Sequence, residues 1–479
     1  MAILKTIKKV VLDTSLFRLC YLSVYFMYML THFSNNTYMR IAVLVLTLWG
    51  TVVAVFSLIN NRSYTRIVYG FWLGAFLLSF VITIITHISS DMYALGFNIF
   101  LLLQTFICFV LFYGMHAERG FLYRFEMYLF VRFFVYVSTI AAVVGLILMF
   151  MGYPGVLYSG TFTGVYMNPN FQGFVAAIAI IFCHMLTKPD FTHRSGQKRV
   201  STIWIATCAI LNLAVLILSD SNGSILFLGA YVAIIVFMKL LTLVDELTPI
   251  KVIGRILALL AVGVLLLFLL MFVRGVFRLG VAAATTPDGE LSRADINKLT
   301  QGSFFSFVSD SGFNSRISLW DAGFKIFCRY PVFGAGKGDL YSLIVEVSGD
   351  RSYFTSDYFT NILIADMHNG YYSIFITAGV VGFALFAVFV VRFISRMSMP
   401  VWVVQRKILK YSVYPSLVAL FGAYLVYAFV ERTFLFTDSF FIIIFWLILG
   451  YISCFAIETG YNNRGEVNIH KLSLPKTLF

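Results

Sequence analysis

In DMHNGYYSIFITAGVVG, residues 366–382, His368 and Asn369 stand at the head of a long apolar run. An imidazole placed there can orient or deprotonate a hydroxyl near neutral pH, or donate to a phosphate once charged. The other reading is a helix-capping or interfacial histidine. Upstream, NSRISLW puts Arg316 at the start of a helix-spaced stretch, and FGAGKGD, residues 333–339, follows with Gly334, Gly336 and Gly338 around Lys337. Glycine lets backbone amides approach a phosphate or sugar and the lysine adds charge, although a plain turn uses the same residues. It is not a nucleotide-binding P-loop, because Gly338 rather than Ser or Thr follows Lys337.

Further polar groups lie at other ends of apolar runs. Arg274 and Arg278, one helical turn apart, present guanidinium forks that suit an anionic head group, or serve as interfacial anchors. Asn168, Pro169 and Asn170 precede another run, where Asn and Pro ordinarily cap a helix. LSDSNGS, residues 218–224, reads as a tight turn, and a short loop carries Glu431, Arg432 and Asp438. No His/Cys cluster or Asp-x-Asp pattern suggests a metal, so no cofactor is expected.

The elements that must position these groups are transmembrane helices. Of 479 residues 60% are hydrophobic and only 12% charged, and the mean hydropathy is +0.89. Soluble domains carry about 25% charged residues, so soluble enzymes, disordered chains and nucleic-acid-binding modules are excluded. Continuous apolar runs without alternation exclude a β-barrel. About twelve runs are long enough to cross a hydrocarbon core: 16–33, 41–60, 67–87, 93–115, 127–151, 170–186, 202–218, 224–243, 254–273, 370–391, 413–430 and 438–457. The basic N-terminus MAILKTIKKVVLD is not followed by a small-residue cleavage site, so the first run reads as a retained span. The six cysteines are dispersed and form no disulfide framework.

The net charge of +13 follows topology. Lys5, Lys8, Lys9, Arg62, Arg66, Arg119, Arg124, Lys188, Arg194, Lys198, Arg199, Lys239, Lys251, Arg255, Arg392, Arg396, Arg406, Lys407, Lys410, Arg464, Lys471 and Lys476 fall on one side of the short loops, against Arg40 and Arg432 on the other. Both termini are therefore expected in the cytoplasm, with the lipid bilayer as the first partner and no nucleic acid. Arg18 and Arg132 remain inside spans, where snorkelling or structural pairing is the commoner role.

Domain organisation follows: spans one to nine over 1–273, an extracytoplasmic cap over 274–367, spans ten to twelve over 368–457 and a cytoplasmic tail over 458–479. The cap holds nine Lys/Arg and ten Asp/Glu, a balance that suits a folded segment. Within it SRISLWDAGFKIFCRYP spaces Ile317, Trp320, Phe324 and Phe327 as an amphipathic helix ending before Pro331, expected on the membrane surface or over the bundle.

In combination these features resemble the O-antigen ligase and Wzy polymerase family of bacterial polysaccharide assembly. The resemblance rests on the spans, the long loop between the ninth and tenth, and an ordered set from Asn314 to Gly382. That set comprises Arg316 before an aromatic-rich helix, the Pro331, Gly334, Gly336 turn, and His368-Asn369 followed by Gly379 and Gly382. One departure stands out: the family often has Ser-Arg-Gly between spans seven and eight, where this chain has Ser221-Asn222-Gly223. Another cation must then hold the diphosphate, with Arg274, Arg278 and Arg432 as candidates.

The resemblance implies an all-α GT-C type glycosyltransferase, metal-independent, of the bacterial cytoplasmic membrane. Its substrate would be undecaprenyl diphosphate-linked oligosaccharide, and a chain-length regulator and a flippase would be its partners. It further implies Arg316 on the diphosphate and His368 on the acceptor hydroxyl, with Arg274, Arg278, Lys337, Asn369, Asn170 and Arg432 binding substrate. The variant turn favours a polymerase joining repeat units; a ligase passing the glycan to lipid A core or protein is the alternative. A twelve-helix transporter is the competing class, opposed by the lack of a central carboxylate in the spans and by the position of the long loop.

Overall fold

A computed structural model describes residues 10–34, 36–61, 64, 67–86, 91–117, 122–153, 155–158, 161–189, 191, 200–241, 253, 254, 257, 275, 276, 311–349, 354, 358–395 and 412–458. The helices used below are α1 (Thr14–Tyr28), α2 (Thr37–Asn60), α3 (Gly70–Thr86), α4 (Met92–Ile107), α5 (Leu122–Phe150), α6 (Pro169–Leu186) and α7 (Thr202–Leu218). They continue as α8 (Asn222–Leu241), α9 (Ser311–Arg329), α10 (Leu340–Ser348), α11 (Tyr358–Ile364), α12 (Gly370–Phe393), α13 (Tyr414–Tyr427) and α14 (Phe440–Glu458). One short antiparallel pair, Leu157–Tyr158 with Thr161–Phe162, interrupts the helices.

Among the described residues seven helices are long and apolar enough to cross a membrane, and α3, α7 and α13 are shorter apolar helices. The chain is thus a mostly helical, multi-pass membrane protein. The ninth expected span, 254–273, and the first part of the expected cap lie outside the described residues. The two intramembrane arginines are structural: Arg18 is buried and donates to the Leu111 carbonyl and to Ser15 Oγ, while Arg132 donates to the Tyr136 hydroxyl and lies over its ring.

The chain divides into two compact units. One comprises Met1–Tyr123, Ser318–Val403 and Tyr427–Phe479; the other comprises Arg124–Ile317 and Val404–Val426. In the second unit, α6 is buried on nearly every side, and Phe174, Phe227 and Tyr424 stack α6, α8 and α13 together. Asn168 caps α6 by accepting from Phe171 N at 2.9 Å, with Pro169 in the first turn where its missing N–H costs nothing.

In the first unit, Trp446 of α14 fills the centre against Phe109, Tyr113, Phe386 and Phe389, with its indole N–H donated to the Phe434 carbonyl at 2.9 Å. The span expected at 370–391 is broken. At Gly379 of α12 the backbone turns to φ 67, ψ −172, a region open only to glycine. In lipid an unsatisfied peptide group costs several kcal/mol, so the break needs partners from the protein. Residues 331–336 supply them. Ala335 N donates to Ile376 O and Gly336 N to Thr377 O, while Val380 N and Val381 N donate to Pro331 O and Val332 O. A Cβ at Gly379 would strike the Val332 carbonyl, and one at Gly334 would strike the Thr377 carbonyl and the Gly379 amide.

Gly379→Ala should therefore destabilise the protein by about 3 kcal/mol, from forced backbone plus collision. Gly349→Ala, where φ is also positive but the surrounding space is open, should cost only about 1–2 kcal/mol. Melting temperatures in detergent separate the two; equal losses would show that the break at Gly379 relaxes freely.

Helix α9 packs on α12 through half of the stripe expected from its spacing, Trp320 and Phe327. Ala322 and Ile326 are buried, Gly323 lies against Ile376, Met367 and Tyr372, and Phe327 stacks on Phe375 at 4.1 Å. Ile317 and Phe324 are instead 48% and 57% exposed. The reason is close approach: the small residues at 322 and 323 let the backbones near each other, which turns Phe324 away.

Candidate functional site

The glycine-rich segment after α9 enters between α3 and α4. Asn98 Oδ1, on α4, accepts from the backbone N–H groups of Lys337 and Gly338 at 2.9 and 2.8 Å, and Thr83 of α3 donates to the Phe333 carbonyl. The positive φ at Gly334 and Gly336 lets the segment turn twice within three residues. It ends by carrying Lys337 into the interior, where the residue is 2% exposed. The Lys337 Nζ has no hydrogen-bond partner among the described residues.

The second piece is the turn leading into α12. Asn369 caps that helix, accepting from Tyr372 N at 3.0 Å, and its amide donates to the Phe429 carbonyl at 3.2 Å. Gly370 N donates to the Ala428 carbonyl at 2.7 Å, which ties this turn to the loop before α14. Trp320 of α9 donates its indole N–H to the Met367 carbonyl at 2.7 Å, and Tyr372 donates back to the Trp320 carbonyl at 2.8 Å. The residue so clamped, His368, has φ 47. A non-glycine residue there carries about 1–2 kcal/mol of strain, and such strain gathers where geometry is imposed for use.

Asp366 is the hub that imposes it. Its carboxylate accepts from His368 N at 3.2 Å and from Ser373 Oγ at 2.9 Å, and pairs with Arg432 Nε at 3.2 Å. Burial by itself raises this carboxyl, but Arg432 first, then Lys337, His368 and Ser373, outweigh it and hold it at about 2. Burial pulls the Lys337 ammonium down to about 7; Asp366 opposes that fall and Arg432 adds to it. Both cations thus favour the charged carboxylate, Arg432 by direct contact and Lys337 without one. The His368 ring itself is 43% exposed, with Nδ1 3.7 Å from Glu431 Oε2, within ion-pair reach but too long for a hydrogen bond.

Of the residues expected from the sequence, Lys337, His368, Asn369 and Arg432 come together in the first unit. Asn369 is engaged at both ends of its amide, as the cap of α12 and as donor to Phe429. Arg316, half-buried, lies on α9 one turn before Trp320. Asn170 belongs to the second unit, accepting from Ser221 Oγ at 3.0 Å. Arg274 and Arg278 lie outside the described residues. Asp366, Glu431, Ser373 and Asn98 were not among the expected site residues. Asp366 had one local signal, an acid two residues before a histidine, which is the spacing of a side chain that caps its own backbone. Asn98 had only its polarity inside an apolar run.

The group can therefore accept a proton at an exposed imidazole and offer cationic charge beside it. Residues 207–387 of the chain match the sequence family described as O-antigen ligase, Wzy_C. The match covers less than half of the chain but includes Arg316, Lys337, Asp366, His368 and Gly379; Glu431 and Arg432 lie beyond it. The likeness drawn from the ordered motifs is thus found independently. No curated protein matches the sequence.

Proposed function

We propose that this protein is a glycosyltransferase of bacterial surface polysaccharide assembly, a polymerase that joins undecaprenyl diphosphate-linked repeat units at the outer face of the cytoplasmic membrane. The observation that carries the reading is the exposed His368, held in a strained turn beside Arg432 and Glu431 within a family-matched segment. The acceptor sugar hydroxyl attacks the anomeric carbon of the donor. As the new glycosidic C–O bond forms, the hydroxyl proton passes to the His368 ring. The anomeric C–O bond to phosphate breaks, and its electron pair leaves with the diphosphate.

Each neighbour has a part in that step. Glu431 faces Nδ1 and stabilises the imidazolium as it forms. Arg432 neutralises charge growing on the diphosphate, the kind of electrostatic stabilisation that contributes most when donors are already in place, and Arg316 is assigned to the diphosphate of the donor. Lys337 adds charge behind Arg432, and Asn369 fixes the start of α12. Arg274, Arg278 and Asn170 are assigned to the lipid-linked donor. Both termini lie in the cytoplasm, and a flippase and a chain-length regulator supply the donor and set the product length.

The ligase alternative is favoured by the family description itself. Lipid-linked glycans from a strain lacking the gene, with and without the restored copy, decide between them. Accumulated single repeats support the polymerase, and long chains retained on the lipid carrier mean a ligase. An unchanged profile overturns both.

A further inference from the structure

The loop before α14 sets an aromatic ring at the edge of the His368 site, and the transfer step described above does not use it. Of the described residues 427–440, Phe429 alone is exposed, at 61%. Its backbone is nevertheless fixed. Phe429 O accepts from Asn369 Nδ2 at 3.2 Å, Ala428 O from Gly370 N at 2.7 Å, and Tyr427 O from Val430 N and Glu431 N at 2.9 and 3.0 Å. The Tyr371 ring lies 4.7 Å from the phenyl ring at 45°, and itself rests 5.2 Å from the buried Phe434. Phe429 is thus held by its backbone and by Tyr371, with more than half of its surface uncovered.

Its neighbours are polar. Asn369, which holds the Phe429 carbonyl, adjoins His368 in the chain, and Glu431, two residues after Phe429, faces His368 Nδ1 at 3.7 Å. A sugar ring divides in the same way, into C–H faces that are apolar and a rim of hydroxyls. An aromatic ring covers a C–H face and removes it from water, while a carboxylate or imidazole beside it accepts from the rim. We propose that Phe429, backed by Tyr371, is the stacking platform for a sugar ring of the acceptor glycan and orients the hydroxyl that His368 meets. This rests on the function proposed above and adds to it a subsite for the acceptor.

The bilayer is the other partner open to an exposed ring, because aromatic residues gather at the membrane interface. An interfacial anchor needs only apolar bulk at the right depth. A platform needs a flat ring at a fixed angle, which the hydrogen bonds around Phe429 and its contact with Tyr371 provide.

The test uses purified full-length protein in detergent. The donor is the lipid-linked glycan of the deletion strain, and the acceptor is the same glycan freed of its lipid by mild acid. Phe429→Ala should raise the half-saturating acceptor concentration about tenfold, with a smaller fall in the maximal rate. Phe429→Trp, which keeps a flat ring, should match wild type or saturate earlier. Phe429→Leu, apolar but not flat, should behave as the alanine variant does. An exposed side chain leaves the fold little to lose, so all three should melt near wild type. Leucine would serve as a membrane anchor, so wild-type saturation in Phe429→Leu or in Phe429→Ala overturns the proposal.

Saturation-transfer NMR with the freed glycan reads binding without turnover. Wild type should give a signal that Phe429→Ala loses, and no signal in wild type overturns the platform. A signal that depends on Phe429 in a protein that transfers no glycan would overturn the functional reading while upholding the platform.

Discussion

Replacing His368 with alanine should lower glycan transfer by about 10²–10⁴-fold, the range typical of a removed general base. Restored chain length in the deletion strain should fail in parallel, with the protein present at wild-type level in the membrane. The rate loss has to be separated from damage to the turn, because His368 also carries a positive φ. His368→Gly does this. Glycine occupies that backbone region without strain, so this variant should melt at or above wild type while being as inactive as the alanine variant. Activity surviving in either variant would remove His368 from the chemistry, and would leave its strained backbone as a feature of the fold alone.

The dyad partner gives a graded second reading of the same site. Glu431→Gln keeps the shape but removes the charge facing Nδ1. Its effect should fall well short of that of His368→Ala, because the group acts only through the ring it faces.

Which parts of this arrangement were legible in the sequence depends on whether they were encoded locally. His368 and Asn369 announce themselves as polar residues opening an apolar run, and Asn168-Pro169 follows ordinary capping rules that the hydrogen bond to Phe171 N obeys. The break in α12 was not legible, although Gly379 and Gly382 stand out in the sequence. A glycine inside a span is common, and only the segment around Gly334, 45 residues earlier, explains why this one leaves the helix. The stripe on α9 held for Trp320 and Phe327 but not for Ile317 and Phe324, for a related reason. Periodicity counts large apolar residues, whereas the buried face of α9 is chosen by Ala322 and Gly323, whose smallness is what matters. Charge pairing was least legible of all: Asp366, Lys337 and Arg432 belong to three separated segments, and nothing in local spacing joins them.

Asp366→Ala should be the most destabilising single change at the site, costing about 3–5 kcal/mol, as expected when one member of a buried ion pair is removed. The loss is larger than the Arg432 contact alone would suggest. The same carboxylate satisfies Ser373 Oγ and His368 N and offsets the buried Lys337, so its removal strands a hydroxyl, an amide and an ammonium together. Acid should reproduce part of the effect. A carboxyl held at about 2 when folded contributes stability that is present above its unfolded value of about 3.9 and is lost as pH falls between the two. The decisive comparison is the double variant. Adding Lys337→Met to Asp366→Ala removes the stranded ammonium, and Arg432, 22% exposed, can turn toward solvent. The double variant should therefore melt above the Asp366→Ala single variant, a non-additivity that only directly coupled charges produce. A double variant less stable than the single one would mean that Lys337 is held by packing of its alkyl stem, and that Asp366 answers to Arg432 alone.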